Sequence, residues 1–175
     1  MKAAPIQLHQ LSFRRVSVEV NVATLDADRP SQVDQNLTFD NVLIATHVNL
    51  LPVTKEDSEG KEFLLTLRVV IDNKVPDDGS ASKPSPYLVD IEAGAIIRVA
   101  KGAETLGDIE DIVVVNGTSL LWSAIREQVC NLTARMPLGL ATLPTVHFQD
   151  LRKQRAESTA PQVKQSKPRV SKPRS

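Results

Sequence analysis

The chain has 175 residues, 41% hydrophobic, 24% charged and 3% aromatic, with one cysteine. That length and balance suit one globular domain with an aliphatic core, and they exclude a disulfide-stapled miniature scaffold. The formal charge of zero hides an asymmetry: from Arg152 onward there are eight Lys or Arg and one acid, Glu157, leaving 13 basic and 20 acidic residues in the remainder. No apolar run reaches the roughly 18 residues that would span a bilayer, and the N-terminus MKAAPIQLHQ has no hydrophobic signal core, so a cytoplasmic protein without membrane insertion is expected.

In chain order, residues 1–10 are expected to form an N-terminal segment, 11–155 the folded domain and 156–175 a disordered basic tail. From Leu11 to Val22 the residues alternate, with Val16, Val18, Val20 and Val22 on one side and Arg15, Ser17, Glu19 and Asn21 on the other. This is the pattern of a half-buried strand. Asp26 to Asp34 reads as a connector, and a second strand is expected over Leu37 to Val53. The third strand, with Phe63, Leu65, Leu67, Val69 and Ile71 in phase, also carries Leu64 and Val70, so burial on both faces is expected. After the loop Asn73 to Pro86, a fourth strand alternates Tyr87, Val89, Ile91, Ala93, Ala95, Ile97 and Val99 against Leu88, Asp90, Glu92, Gly94, Ile96 and Arg98. Gly94 within it suggests a bulge or a close backbone approach.

Connections without helices between successive strands predict an antiparallel meander. Glu104 to Gly117 reads as a short turn with the apolar run IVVV, and Asn116 or Thr118 as the cap of a helix. In that helix Leu121, Ile125, Val129 and Leu132 share one face while Ser123, Glu127, Asn131 and Arg135 share the other. About four amphipathic turns ending at Pro137 are expected. From Pro137 to Val146, PLGLATLPTV has no charged side chain, so it is either buried or offers apolar surface to a partner. Phe148 and Leu151 suggest a short second helix. The fold expected is α+β: a four-stranded antiparallel meander with a long amphipathic helix and a short second helix on one face.

The residues do not spell out an enzyme. His9, His47 and His147 are scattered, none of the seven glycines builds a phosphate cradle, and Cys130 has no second thiol with which to form an internal disulfide or a metal site. Cys130 is expected to act as a small buried hydrophobe, and no metal or other cofactor is expected.

The order of four strands, a long helix with Arg126-Glu127, and an uncharged proline-containing segment closing on Val146-His147-Phe148 resembles the SecB family of export chaperones. Leu67-Arg68-Val69, the run Glu92-Ala93-Gly94-Ala95-Ile96 and Arg135 at the helix end add to the resemblance, which covers about residues 11 to 151. It implies an ATP-independent holdase that keeps unfolded preproteins competent for the Sec translocase, assembled as a homotetramer, a dimer of dimers. It further implies client contacts at Tyr87, Val89, Ile91, Leu138, Leu140, Leu143 and Val146. The SecA motor would be met through Glu19, Leu88 and Asp90, and the oligomer would form through a helix carrying Trp122, Arg126 and Glu127. Two alternatives stand beside this: a specialised SecB-like chaperone for a dedicated partner such as a toxin–antitoxin pair, and an oligomeric scaffold whose tail, with SKPR at 166–169 and 171–174, binds nucleic acid through phosphate contacts.

Overall fold

The computed structural model describes residues 5–22, 37–39, 41–57, 60–74 and 83–151. The connector expected at 26–34, the centre of the loop between 75 and 82, and the expected basic tail at 156–175 lie outside the described residues. The elements are β1 (Ile6–Val20), β2 (Leu37–Thr38), β3 (Ala45–Asp57), β4 (Gly60–Ile71), β5 (Tyr87–Ala100), a 3₁₀ turn (Ala103–Leu106), α1 (Ile109–Thr133) and β6 (Ala141–Thr142).

The four long strands form one antiparallel sheet in the order β1, β5, β4, β3. Its class is α+β, with α1 laid on one face, chiefly across β5 and β4. Only β3, β4 and β5 follow one another as a meander. β1 pairs with β5, on the side away from β4, and not with β3, so the expected four-strand meander is broken after β1. The two central strands therefore hold the most regular alternation of burial, with Phe63, Leu65, Leu67, Val69 and Ile71 on β4 and Tyr87, Val89, Ile91, Ala93, Ala95, Ile97 and Val99 on β5 all turned into the core.

The expected second strand divides. Leu37–Thr38 leaves the main sheet to pair in parallel with Ala141–Thr142, and the chain turns through Asn41 at φ 60° before β3 begins at Ala45. β1 begins at Ile6 rather than Leu11, so residues 6–10 belong to the sheet.

The helix begins well before its expected start, at Ile109, and runs for 25 residues. Asp108 caps it, accepting from the backbone N–H of Asp111 at 3.0 Å, and Glu110 and Asp111 place negative charge at the positive end of the dipole. Asn116 and Thr118 are interior residues. The IVVV run is helical because Val113 joins Gly117, Leu121, Ile125 and Val129 in a four-residue repeat that faces the sheet. Gly117 sets the closeness of that contact: a Cβ there would strike Ile97 and stand 2.6 Å from Leu65 Cδ2. At the other end, Arg135 N–H bonds the Leu132 carbonyl and Pro137 stops the ladder. A turn opens after Phe148, with the Leu151 N–H bonded to its carbonyl at 3.2 Å, and the remainder of the expected second helix lies outside the described residues.

Candidate functional site

The uncharged segment 137–146 is a strap tied down at Gly139, Leu140, Ala141 and Pro144. Tyr87 Oη donates to the Gly139 carbonyl at 2.8 Å, the Leu37 N–H to the Leu140 carbonyl at 2.8 Å, and Trp122 Nε1 to the Pro144 carbonyl at 2.9 Å. Thr133 Oγ1 accepts from the Ala141 N–H at 2.9 Å and donates to the Val129 carbonyl at 2.8 Å, so one hydroxyl joins helix and strap. Gly139 takes φ 82°, a left-handed conformation that glycine adopts without strain. Burial raises the Tyr87 phenol above its ordinary pKa, against a smaller opposing contribution from the Leu138 backbone, which keeps the hydroxyl protonated as a donor.

Of the expected client residues, Tyr87, Val89, Ile91 and Leu143 are buried in the chain's own core. Leu138 and Leu140 are half-buried on the strap, and Val146 is exposed near its end. The strap thus brings Leu138, Leu140 and Leu143 together with Tyr87, while covering most of what it gathers.

Uncovered apolar surface lies elsewhere on the same side of the sheet. In the β1–β5 register, Ile6, Leu8, Leu11, Phe13, Val16, Val18 and Val20 stand opposite the inward residues of β5, so all seven point to the helix side. Leu8 and Val16 are 42% and 43% exposed, and Leu11 and Phe13 are half-buried. The steps along this row are two, three, two, three, two and two, because the register shifts once between Leu8 and Gln10 and again between Phe13 and Arg15. Each shift inserts one residue, His9 and then Arg14, and restores the apolar row to the same face. Sequence alternation reveals the row only from Val16 onward. The signal for the rest was an apolar spacing that switches between two and three.

The opposite face of the sheet carries the expected motor residues. Glu19 pairs directly with Leu88, and Asp90 lies opposite Ser17, so the three are brought together. Ser17 Oγ donates to Glu19 at 3.0 Å. Asp90 is heavily compensated: Arg68 donates to its two oxygens at 2.7 and 2.8 Å, and Arg15 adds a contact at 2.8 Å. These bonds, with Arg68 first, hold its carboxyl at about 2. Farther along, Arg98 holds Glu62 at 2.6 Å and Arg14 stands 3.6 Å from Glu92. This face is a lattice of matched charges rather than an acidic field.

On α1, Trp122 is separated from its two expected companions. It is buried, bonded to the strap and in edge contact with Phe148 at 5.8 Å between ring centroids, whereas Arg126 and Glu127 are exposed on the outer side. Cys130 is half-buried, with its Sγ 3.6 Å from Thr142 Oγ1 on the strap. Among the described residues no cluster of His, Cys, Asp or Glu is arranged to hold a metal ion, and no helix is long and apolar enough to cross a membrane.

No protein-family model matches the chain, and no curated protein matches it. Among solved structures it is similar to a SecB-like chaperone of Mycobacterium tuberculosis in complex with a ChAD peptide from an antitoxin, with 18% identity over 81% of this chain and 90% of that one and a TM-score of 0.44. It is also similar to a protein of unknown function from Streptococcus agalactiae, with 8% identity over 80% of this chain and 97% of that one and a TM-score of 0.49.

Proposed function

We propose that this protein is a non-enzymatic, ATP-independent holdase that shields apolar segments of unfolded polypeptides. The observation that carries the reading is the β1 row, in which Leu8 and Val16 expose apolar surface beside half-buried Leu11 and Phe13. Folded polypeptides have already hidden their own apolar segments, so such a surface selects unfolded ones without a nucleotide cycle. The half-buried Leu138 and Leu140 and the exposed Val146 extend the same chemistry to the strap.

Light scattering from a chemically unfolded, aggregating protein tests this directly. Near-stoichiometric suppression by the intact chain, lost in a folded Leu8→Asp/Val16→Asp variant, is the expected result; suppression unchanged by that variant would remove β1 as the binding surface.

A dedicated client, such as a member of a toxin–antitoxin pair, is favoured over general delivery to SecA. A motor docking through acidic contacts would meet Asp90 already bonded to Arg68 and Arg15. The homotetramer and the cytoplasmic location belong to the same proposal, and sedimentation of the intact chain tests the assembly. The eight cations from Arg152 onward favour one added activity, salt-dependent attraction to nucleic acid. Neutralising them should abolish retention on DNA at low salt, and retention unchanged by their removal would exclude the tail.

A further inference from the structure

We infer that two copies of this chain join edge to edge through β3, antiparallel, with the two-fold axis at Val48, so that their sheets become continuous. This rests on the assembly part of the reading above and names the surface that carries it.

The main sheet has two edge strands, β1 and β3. An edge accepts a further strand where its outward N–H and C=O groups keep a regular two-residue spacing. β1 breaks that spacing twice, at His9 and Arg14, and each inserted side chain reaches toward a carboxylate on the polar face. His9 stands 3.8 Å from Glu62 and Arg14 3.6 Å from Glu92. With Arg15 and Glu19 beside them, β1 carries the bulges and charges by which edge strands resist pairing.

β3 differs on both counts. Its register with β4 is unbroken from Ala45 to Val53, and no Asp, Glu, Lys or Arg occurs from Asn41 to Thr54. Pro52 fixes which backbone groups face outward. It has no N–H, so its pair with Phe63 is one without hydrogen bonds, in which both backbone positions turn away from β4. By the two-residue period Thr46, Val48 and Leu50 do the same, and among the described residues no turn or loop backbone bonds them. The side chains suit a neighbour as well: Leu51 and Val53 are 49% and 38% exposed on one face, and Val48 and Leu50 are half-buried on the other.

Two arguments make the neighbour a second copy. A strand donated by an unfolded polypeptide would present a fresh unpaired edge, whereas a second β3 leaves none, and with β1 resistant the growth of the sheet stops at two chains. Two-fold pairing also sets a strand against itself, so every charge on it meets its like; β3 has none to meet over this stretch. The axis falls at Val48 because Val48 then pairs with the partner's Val48 and Thr46 with the partner's Leu50, which uses all three outward N–H groups. Pro52 comes to lie opposite the partner's Ile44, outside the strand that begins at Ala45. His47 faces the partner's Asn49 in a pair without hydrogen bonds, where the two backbones come closest.

The experiment is sedimentation of the full-length protein over a range of concentrations. Val48→Pro removes only an outward N–H, so the β3–β4 ladder and the thermal transition should be kept. The assembly should fall to half its size, with the half-dissociation concentration raised about thirtyfold or more, as loss of one hydrogen bond from each copy implies. His47→Lys/Asn49→Lys, at two exposed positions, should raise it about tenfold at low salt by setting lysines opposite one another. In a Cys130→Ser background, His47→Cys/Asn49→Cys should form cross-linked pairs on oxidation, and neither single variant should.

Folded proline and lysine variants that sediment as the intact chain does would overturn β3 and leave an assembly through another surface. Unchanged assembly with loss of client co-sedimentation in Val48→Pro would make β3 a client edge and overturn the second copy. Cross-linking of Asn49→Cys alone would overturn the axis at Val48. An intact chain that sediments as single molecules at every concentration would overturn the assembly and this interface together.

Discussion

Two neighbouring strands, β1 and β5, present the same chemistry to the same side of one sheet and meet opposite fates. On β5, Tyr87, Val89, Ile91 and Ile97 disappear under α1 and the strap; on β1, Leu8 and Val16 remain 42% and 43% exposed. The side chains are equally apolar, so polarity does not distinguish them. Position does: β5 lies in the middle of the sheet and β1 at its edge, and α1 covers mainly the middle. An apolar row becomes a candidate binding surface only at the positions, here Leu8 and Val16, that the described residues leave exposed.

The comparison breaks most sharply under a charge. Val89→Asp would bury a carboxylate within the apolar core cluster, and the domain should fail to fold, with loss of the cooperative thermal transition. Val16→Asp, one strand away, should keep that transition within about 1 kcal/mol of wild type while weakening client suppression. A destabilised Val16→Asp would mean that β1 is structural after all. Truncation gives a graded version. Leu121, fully buried on α1, should cost about 3 kcal/mol when changed to Ala, whereas Leu8→Ala should cost less than about 1, both read from urea unfolding.

These contrasts also show what was legible in the sequence. The central strands were readable because α1 covers one face of both and no register shift interrupts their pairing with each other, so their burial keeps a largely two-residue alternation. β1 was readable only in its second half, since the inserted His9 and Arg14 break the period that reveals a face. The helix start was hidden for a different reason. Ile112 to Val115 favour strands by side-chain branching, and Gly117 resembles a terminator, but burial against Ile97 and Leu65 overrides both preferences. The apolar strap was visible as an anomaly of charge. Its three side-chain ties were not, since Tyr87, Trp122 and Thr133 are remote from their partners until the chain has folded.

The sheet's other face sharpens the comparison by titration. Asp90 has a folded-state pKa of about 2, below the ordinary carboxylate value, chiefly because Arg68 bonds its charged form. A depressed acid contributes stability that is complete above its unfolded pKa and disappears as pH falls through the folded one. The contribution of Asp90 should therefore vanish between about pH 4 and pH 2. It should amount to roughly 1–2 kcal/mol, since both arginines are partly exposed and water screens their attraction for the carboxylate. Asp90→Asn should lower stability at neutral pH and flatten this acid limb. An unchanged limb would mean that Asp90 is not held by its partners in solution.

The smallest expected effect separates two glycines. Gly94 suggests a tight place, but a Cβ built there would meet Arg14 Nε at 3.5 Å and Thr66 Cγ2 at 3.6 Å, which are ordinary contacts, and its φ is not left-handed. It lies on the polar face opposite Ser12, between the two register shifts of β1, so the irregularity belongs to the neighbouring strand. Gly94→Ala should change stability by less than about 0.5 kcal/mol in either direction. Gly117→Ala adds the same methyl group beneath α1, where Ile97 and Leu65 would have to move within the core, at a cost of about 1–3 kcal/mol. Equal effects at the two sites would mean that α1 is not seated on the sheet as closely as the Gly117 contact requires, and the distinction between covered β5 and uncovered β1 would lose its basis.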